Sequence, residues 1–308
     1  MRWSKRGVLV PAPPPLPWAT SHSALPVVTT AGDEVRLFCS SRDAQKRSHV
    51  ASGWLDLRRG SVSYEDRIAI TIGPLGAFDD HGVTSSCLTE HRGRTLQYYT
   101  GWSLGVTVPF YLAIGCAVSE DGGRTFTKVS PAPVVGRSSA DPFLTASPSV
   151  LVDGGTWRMW YVSGTEWHVE AGVVRHRYHI KYAESSDGIE WRANGRVCID
   201  YRDPSETSIA RPCVMKDGDL YRMWYCSRGV TYRIGYAESS DGLIWTRMDD
   251  EVGIEPSADG WDSEMQAYPF VFDYGGERHM LYNGNGFGAT GIGHAVLESA
   301  ERSPRRSA

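Results

Sequence analysis

Long hydrophobic runs are missing from this 308-residue chain. No stretch reaches the roughly 18 consecutive apolar residues of a membrane-spanning helix. An excess of one charge is missing too: 32 Lys and Arg face 36 Asp and Glu, for a formal net charge of −4. With no basic cluster, this argues against nucleic acid or an anionic membrane as partner. Arg302, Arg305 and Arg306 read as part of a disordered tail over residues 299–308. The six cysteines, Cys39, Cys87, Cys116, Cys198, Cys213 and Cys226, show no CxxC spacing. That disfavours zinc and redox motifs and fits buried thiols in a reducing compartment. The N-terminus has charges, a short Val8-Leu9-Val10 and a run from Pro11 to Pro17, without the apolar core of a secretory signal. Residues 1–19 read as a Pro-rich arm over the domain surface, and the chain reads as cytoplasmic. There is no amphipathic helix, P-loop, GxGxxG or Gly-x-Ser-x-Gly elbow, and no helix pattern follows the glycines of Gly284-Asn-Gly286-Phe-Gly288. No cofactor is implied.

Turn formers and large aromatics are abundant: 33 Gly, 17 Pro, 11 Trp and 15 Tyr against only 8 Phe. This composition describes many short strands and tight turns. The chain also repeats. Trp157-Arg-Met-Trp-Tyr161 followed by Ile180-Lys-Tyr-Ala-Glu-Ser-Ser-Asp-Gly188 and Trp191 is echoed by Tyr221-Arg-Met-Trp-Tyr225, Ile234-Gly-Tyr-Ala-Glu-Ser-Ser-Asp-Gly242 and Trp245. A third copy is Ile114-Gly-Cys-Ala-Val-Ser-Glu-Asp-Gly122 with Phe126. A fourth, weaker copy runs Glu277 to Tyr282 and Gly291 to Ala295 with no turn after it. The weakest covers Val35 to Phe38 and Ser48 to Leu57. Each unit reads as an apolar opening strand, an alternating second strand, a third strand and a Ser-x-Asp-Gly turn into a fourth. Five units of about 50 residues predict an all-β chain, a five-bladed β-propeller with four antiparallel strands per blade over residues 20–298. Opening strands are expected near 21–30, 80–90, 143–152, 206–215 and 264–273.

In such a fold the first strands line a central channel, and their starts converge at one mouth. Three units place a carboxylate there: Asp80, Glu206 and Glu264. Facing carboxylates suit glycosidic cleavage, one protonated to donate to the leaving oxygen and one ionised. His22, Arg42, Asp43, Arg211 and Arg228 are candidate binders of polar or anionic groups. Trp102 and Trp167 (with Tyr98 and Tyr99 in the same loop as Trp102) are candidate stacking platforms for a sugar ring. Asn283 and Asn285, flanked by glycines, are candidates for bonding hydroxyls. His168, His176 and His179 form a loose cluster, but on a stretch expected to be a long loop, so no metal site is assigned.

The YAESSDGIEW and YAESSDGLIW hairpins resemble the turns of the propeller glycosidases of glycoside hydrolase families 43, 32, 68 and 130. More closely, the stretches LFCSSRD, AFDDHGV, YYTGW, RMWYCSRG, GWDSEMQAYPFVF and MLYNGNGFGATGIGHA resemble a group of glycosidase-like propellers, over roughly residues 18–298. The resemblance implies a carbohydrate-active enzyme cleaving a glycosidic bond in a small saccharide or glycoconjugate. Glu206 is the expected general acid, its pKa raised by Ile209-Ala210, with Asp80 as base or nucleophile and Glu264 orienting substrate. The resemblance also implies an Asp at the start of the first blade, where this chain has Ser21-His22-Ser23. That departure leaves glycosyl transfer, phosphorolysis, lyase chemistry in polysaccharide or natural-product assembly, and non-catalytic sugar binding as alternatives. Calcium in the channel of some family 43 members implies a place for His294 beside a channel water or ion.

Overall fold

The computed structural model describes residues 1–298; the tail expected over 299–308 lies outside the described residues. β1 (Trp3–Val10) precedes the repeats. β2 (Ser21–Ala31), β3 (Glu34–Arg42), β4 (Ser48–Asp56) and β5 (Ser61–Ile70) form one antiparallel meander. β6 (Gly82–His91), β7 (Arg94–Leu104), β8 (Phe110–Ser119) and β9 (Thr127–Lys128) form another. They are followed by β10 (Thr145–Asp153), β11 (Thr156–Glu170), β12 (Val173–Ser185) and β13 (Trp191–Ile199), then by β14 (Ser208–Asp217), β15 (Leu220–Arg228), β16 (Tyr232–Ser239) and β17 (Thr246–Arg247). β18 (Ala267–Tyr274), β19 (Glu277–Asn283) and β20 (Ile292–Leu297) complete the described strands. Single parallel pairs, Ser48 with Gly82 and Tyr178 with Ser208, join neighbouring meanders into two eight-stranded sheets. The expected opening strands correspond to β2, β6, β10, β14 and β18 within a few residues.

The N-terminal arm is corrected in part. β1 is a strand paired antiparallel with β20, so the sheet runs β1-β20-β19-β18. Trp3 is buried against Trp224 and Val10 is fully buried. This explains why the last repeat lacks a closing turn: the other end of the chain supplies its fourth strand.

Local chemistry explains the repeats. In the Ser185-x-Asp187-Gly188 turn the Ser185 hydroxyl donates to Asp187 at 2.9 Å. The same carboxylate accepts the N–H groups of Ile189 and Glu190 at 2.8 and 2.9 Å. Gly188 takes φ 80°, a conformation costly for other residues. The turn carbonyls are in turn held by the preceding meander. Tyr98 donates to the Gly188 carbonyl at 2.7 Å and Trp160 Nε1 to that of Gly242 at 2.8 Å. Apolar residues pack in layers between meanders; one layer joins Leu96, Tyr98 and Cys116 to Val150, Trp157 and Met159. All six cysteines are unpaired and buried.

A second repeating device ties a tyrosine of the second strand to an aspartate and a cation. Tyr99, Asp79 and Lys128 form one such group, and Tyr161, Asp141 and Lys181 another. Tyr225, Asp249 and Arg247 form a third, and Tyr282, Asp262 and Lys5 a fourth. Three of the aspartates, Asp79, Asp141 and Asp262, stand just before the opening strands β6, β10 and β18. Every opening strand then breaks register near its start, between Ala24 and Val27, Ser85 and Cys87, Ala146 and Ser149, Ala210 and Cys213, and Ala267 and Phe270. Bulges of this kind re-aim side chains. The opening strands touch one another in the order β2, β6, β10, β14, β18 and back to β2.

Candidate functional site

The starts of the opening strands meet at a cavity of about 420 Å³, within the range typical of small-ligand sites. His22 and Leu25 come from β2, Thr84 from β6, Ser147 from β10, Ala210 from β14 and Tyr268 from β18. Side chains at the ends of second and third strands close the wall: Arg42, Ser48, Thr100, Trp102, Phe110, Tyr178, Arg228 and Tyr232. Several lie where the backbone is held unusually. His22, Leu25, Ser147 and Tyr268 all have positive φ, from 46° at Ser147 to 65° at His22. These positive angles fall at the bulges of the opening strands. Trp102 reaches its place because Gly82 carries no side chain: a Cβ there would lie 1.5 Å from the indole nitrogen.

Guanidinium groups dominate the charge. Arg42 and Arg228 both line the cavity, and neither has a carboxylate partner among the described residues. Arg228 donates to the Ser208 hydroxyl at 3.0 Å and lies over the Tyr232 ring. The Tyr232 and Tyr178 hydroxyls are hydrogen-bonded to each other. His176 stacks on Tyr178 with ring centroids 5.1 Å apart. Burial, helped by the charge of Arg228, lowers the His176 pKa to about 4. His22 is lowered too, by burial and then by Arg42. Both imidazoles are therefore neutral at neutral pH. Burial raises Tyr178, Tyr232 and Tyr268 above the usual phenol range, so all three stay protonated, Tyr178 despite the opposing charge of Arg228.

Four of the sequence-based candidates, His22, Arg42, Trp102 and Arg228, line this cavity. The three carboxylates do not. Asp80 accepts the Gly76 N–H at 2.9 Å in its own turn. Glu264 is exposed on its loop, where its backbone N–H donates to Asn285 at 2.9 Å and its carbonyl accepts from Arg233 at 2.8 Å. Glu206 is buried, but against Arg247, which donates to both carboxylate oxygens at 2.7 Å. Its expected raised pKa is corrected. Burial pushes the carboxyl up, but the Arg247 bonds, the Arg202 N–H and the nearby charge bring it below the ordinary value. A carboxylate so held is a poor proton donor.

The remaining candidates have structural partners. Asp43 binds Arg47 and His49. Arg211 is fully buried away from the cavity lining, and its guanidinium donates to the carbonyls of Ser86 and Pro26 at 2.7 and 2.9 Å. Asn283 bonds the backbone at Leu25, Ser23 and Gly291, and Asn285 that of Glu264 and Met265. Tyr98 and Tyr99 are fully buried. Trp167 packs edge-on to Phe110 and His176 just outside the cavity. The stretch holding His168 and His176 is a two-stranded ribbon and not a loop: Trp167 pairs with His176 and His168 with Arg175, around a turn at Ala171 and Gly172 with φ of 49° and 78°. His294 is on β20, between β1 and β19, and contacts His279, so it does not stand on an opening strand. Among the described residues no group of three or more His, Cys, Asp or Glu could hold a metal ion.

Sequence reasoning missed Tyr178, Tyr232, Tyr268 and Phe110, and met His176 only as part of the histidine cluster. Tyr268 precedes Pro269 just as Ser147 precedes Pro148, a signal present in the repeats themselves.

No family model matches the chain. It is 43% identical over 302 residues to uncharacterised proteins of Mycobacterium tuberculosis strains CDC 1551 and H37Rv, covering 97% of this chain and 100% of each relative. Among solved structures it is similar to a glycoside hydrolase (TM-score 0.75, 18% identity, 98% and 93% of the two chains) and to a thermostable family-43 glycoside hydrolase (TM-score 0.71, 16% identity, 97% and 98%). A member of glycoside hydrolase family 130, described as mannoside phosphorylases that include hydrolases of β-1,2 mannosidic linkages, is also similar (TM-score 0.71, 15% identity, 91% and 85%). The fold is the one these solved structures share.

Proposed function

The chain belongs to one family with the two Mycobacterium tuberculosis proteins, and we propose that it is a five-bladed β-propeller acting on a saccharide that carries a carboxylate or similar anionic group. The blade count is supported by the strand pairing, by the cyclic contacts of β2, β6, β10, β14 and β18, and by β1 completing the sheet of β18 to β20. A cytoplasmic location is supported by six buried, unpaired thiols.

One observation carries the ligand class: Arg42 and Arg228 face a cavity that contains no carboxylate in its lining. Guanidinium groups brought into a partly dry cavity without an internal anion favour an anionic guest. Trp102, Phe110 and Tyr268 supply aromatic faces for a sugar ring, and Ser48, Thr84, Thr100 and Ser147 supply hydroxyls. The same lining argues against a paired-carboxylate hydrolysis inside the cavity, because that mechanism needs two acids beside the scissile bond.

Calorimetric titration with acidic and neutral oligosaccharides tests the reading. Acidic ligands bind, and Arg42→Ala or Arg228→Ala weakens them about 10- to 100-fold, the value of a charged hydrogen bond. Neutral ligands of equal length binding as well as acidic ones, with no loss in either variant, would contradict it.

A further inference from the structure

The cavity has an annex. His176 and Arg228 line it on one side and, on the other, a surface cleft bounded by the β11–β12 ribbon and the loops holding Pro204, Ser205, Gly229 and Val230. A ligand longer than one sugar that extended from the cavity toward the cleft would meet these two side chains. Four functional groups meet at this junction: the Arg228 guanidinium, the His176 imidazole, and the bonded hydroxyls of Tyr178 and Tyr232.

From this juxtaposition we propose that the site cleaves an acidic saccharide by β-elimination, with Arg228 on the uronate carboxylate, His176 as base and the Tyr178–Tyr232 pair as proton donor. The proposal rests on the anionic-saccharide reading above. Arg228 lowers the acidity barrier of the carbon next to the carboxylate by neutralising its charge. His176 removes the proton on that carbon. The released electron pair becomes a carbon–carbon double bond as the bond from the β carbon to the glycosidic oxygen breaks. That oxygen keeps its electron pair and takes a proton from the tyrosine pair, and solvent exchange restores both groups. The products are an unsaturated uronate and a free hydroxyl. No water is consumed and nothing is oxidised or reduced overall.

The resting states of the side chains are the ones these roles start from: His176 is neutral and the two phenols are protonated. Elimination also removes the need for the paired acids that the cavity lacks. The nearest carboxylates in the cleft lining are Glu166 and Glu170. Glu166 lies 3.6 Å from His168 and 3.8 Å from Arg177, and Glu170 lies 3.7 Å from Arg175.

The test uses the full chain with glucuronate, galacturonate and mannuronate oligosaccharides, followed by the ultraviolet absorbance of the conjugated unsaturated product and by a reducing-end assay. Both signals are expected to rise together for one of these ligands. His176→Gln and Tyr178→Phe each lower turnover about 100-fold or more, with calorimetric affinity and thermal melting close to wild type. Reducing ends without the absorbance, lost in Glu166→Gln, would mean hydrolysis and overturn the proposal. Binding without turnover of any kind would also overturn it while leaving the anionic-saccharide reading intact. Failure of every acidic oligosaccharide to bind would overturn that reading itself.

Discussion

At the scale of single residues, the polar groups divide by whether the fold already satisfies them. Glu206, Asp43, Asn283 and Arg211 have partners within the protein, whereas Arg42 and Arg228 have cavity on one side and no anion. The Glu206–Arg247 pair gives a sharp prediction. Glu206→Gln leaves Arg247 with one carboxylate fewer in a mostly buried setting and costs on the order of 3 kcal/mol, measured by denaturant unfolding. It leaves ligand affinity unchanged, since Glu206 does not line the cavity. The pH dependence has a definite sign. The folded pKa of Glu206 is depressed, so its contribution is present above the unfolded carboxyl value near ~4.3 and is lost as pH falls through the folded one. Wild type and Glu206→Gln therefore converge in stability as acid is added.

At the scale of elements, the strands and their turns were largely legible, because the Ser-x-Asp-Gly turn is a local device whose bonds close within a few residues. The bonds that join neighbouring meanders were not. Tyr98 reaches Gly188 across 90 residues of chain, and nothing beside either residue announces the other. Tyr98→Phe is expected to cost about 1 kcal/mol, seen as a shifted unfolding midpoint with an unchanged slope. β1 was illegible for a related reason. Its partner, β20, is at the far end of the chain, so Trp3 to Val10 carries no turn signal linking it to a hairpin. Trp3→Ala, which empties a site packed on Trp224, is expected to cost about 3 kcal/mol or more; a loss below about 1 kcal/mol would mean that β1 is not an integral strand.

At the scale of the whole molecule, the contacts among the opening strands decide which residues meet. Of the segments that equivalence of position in the repeats puts at one mouth, His22, Ser147, Ala210 and Tyr268 line the cavity. That equivalence misplaced the acids because the bulges turn the residues at Leu25, Ser147, Arg211 and Tyr268 to positive φ, and because Glu206 and the buried aspartates are drawn to cations in the surrounding layers. Arg211 makes these contacts testable: from β14 it bonds carbonyls in β2 and β6. Arg211→Met leaves both carbonyls unpaired in the interior and is expected to cost about 2 kcal/mol or more. The most direct measurement is a crystal structure of the protein with a bound acidic oligosaccharide. The account expects its carboxylate within hydrogen-bonding distance of Arg228 or Arg42, with the next sugar passing His176 into the cleft. A ligand seated elsewhere, or one whose anionic group faces away from both arginines, would contradict it.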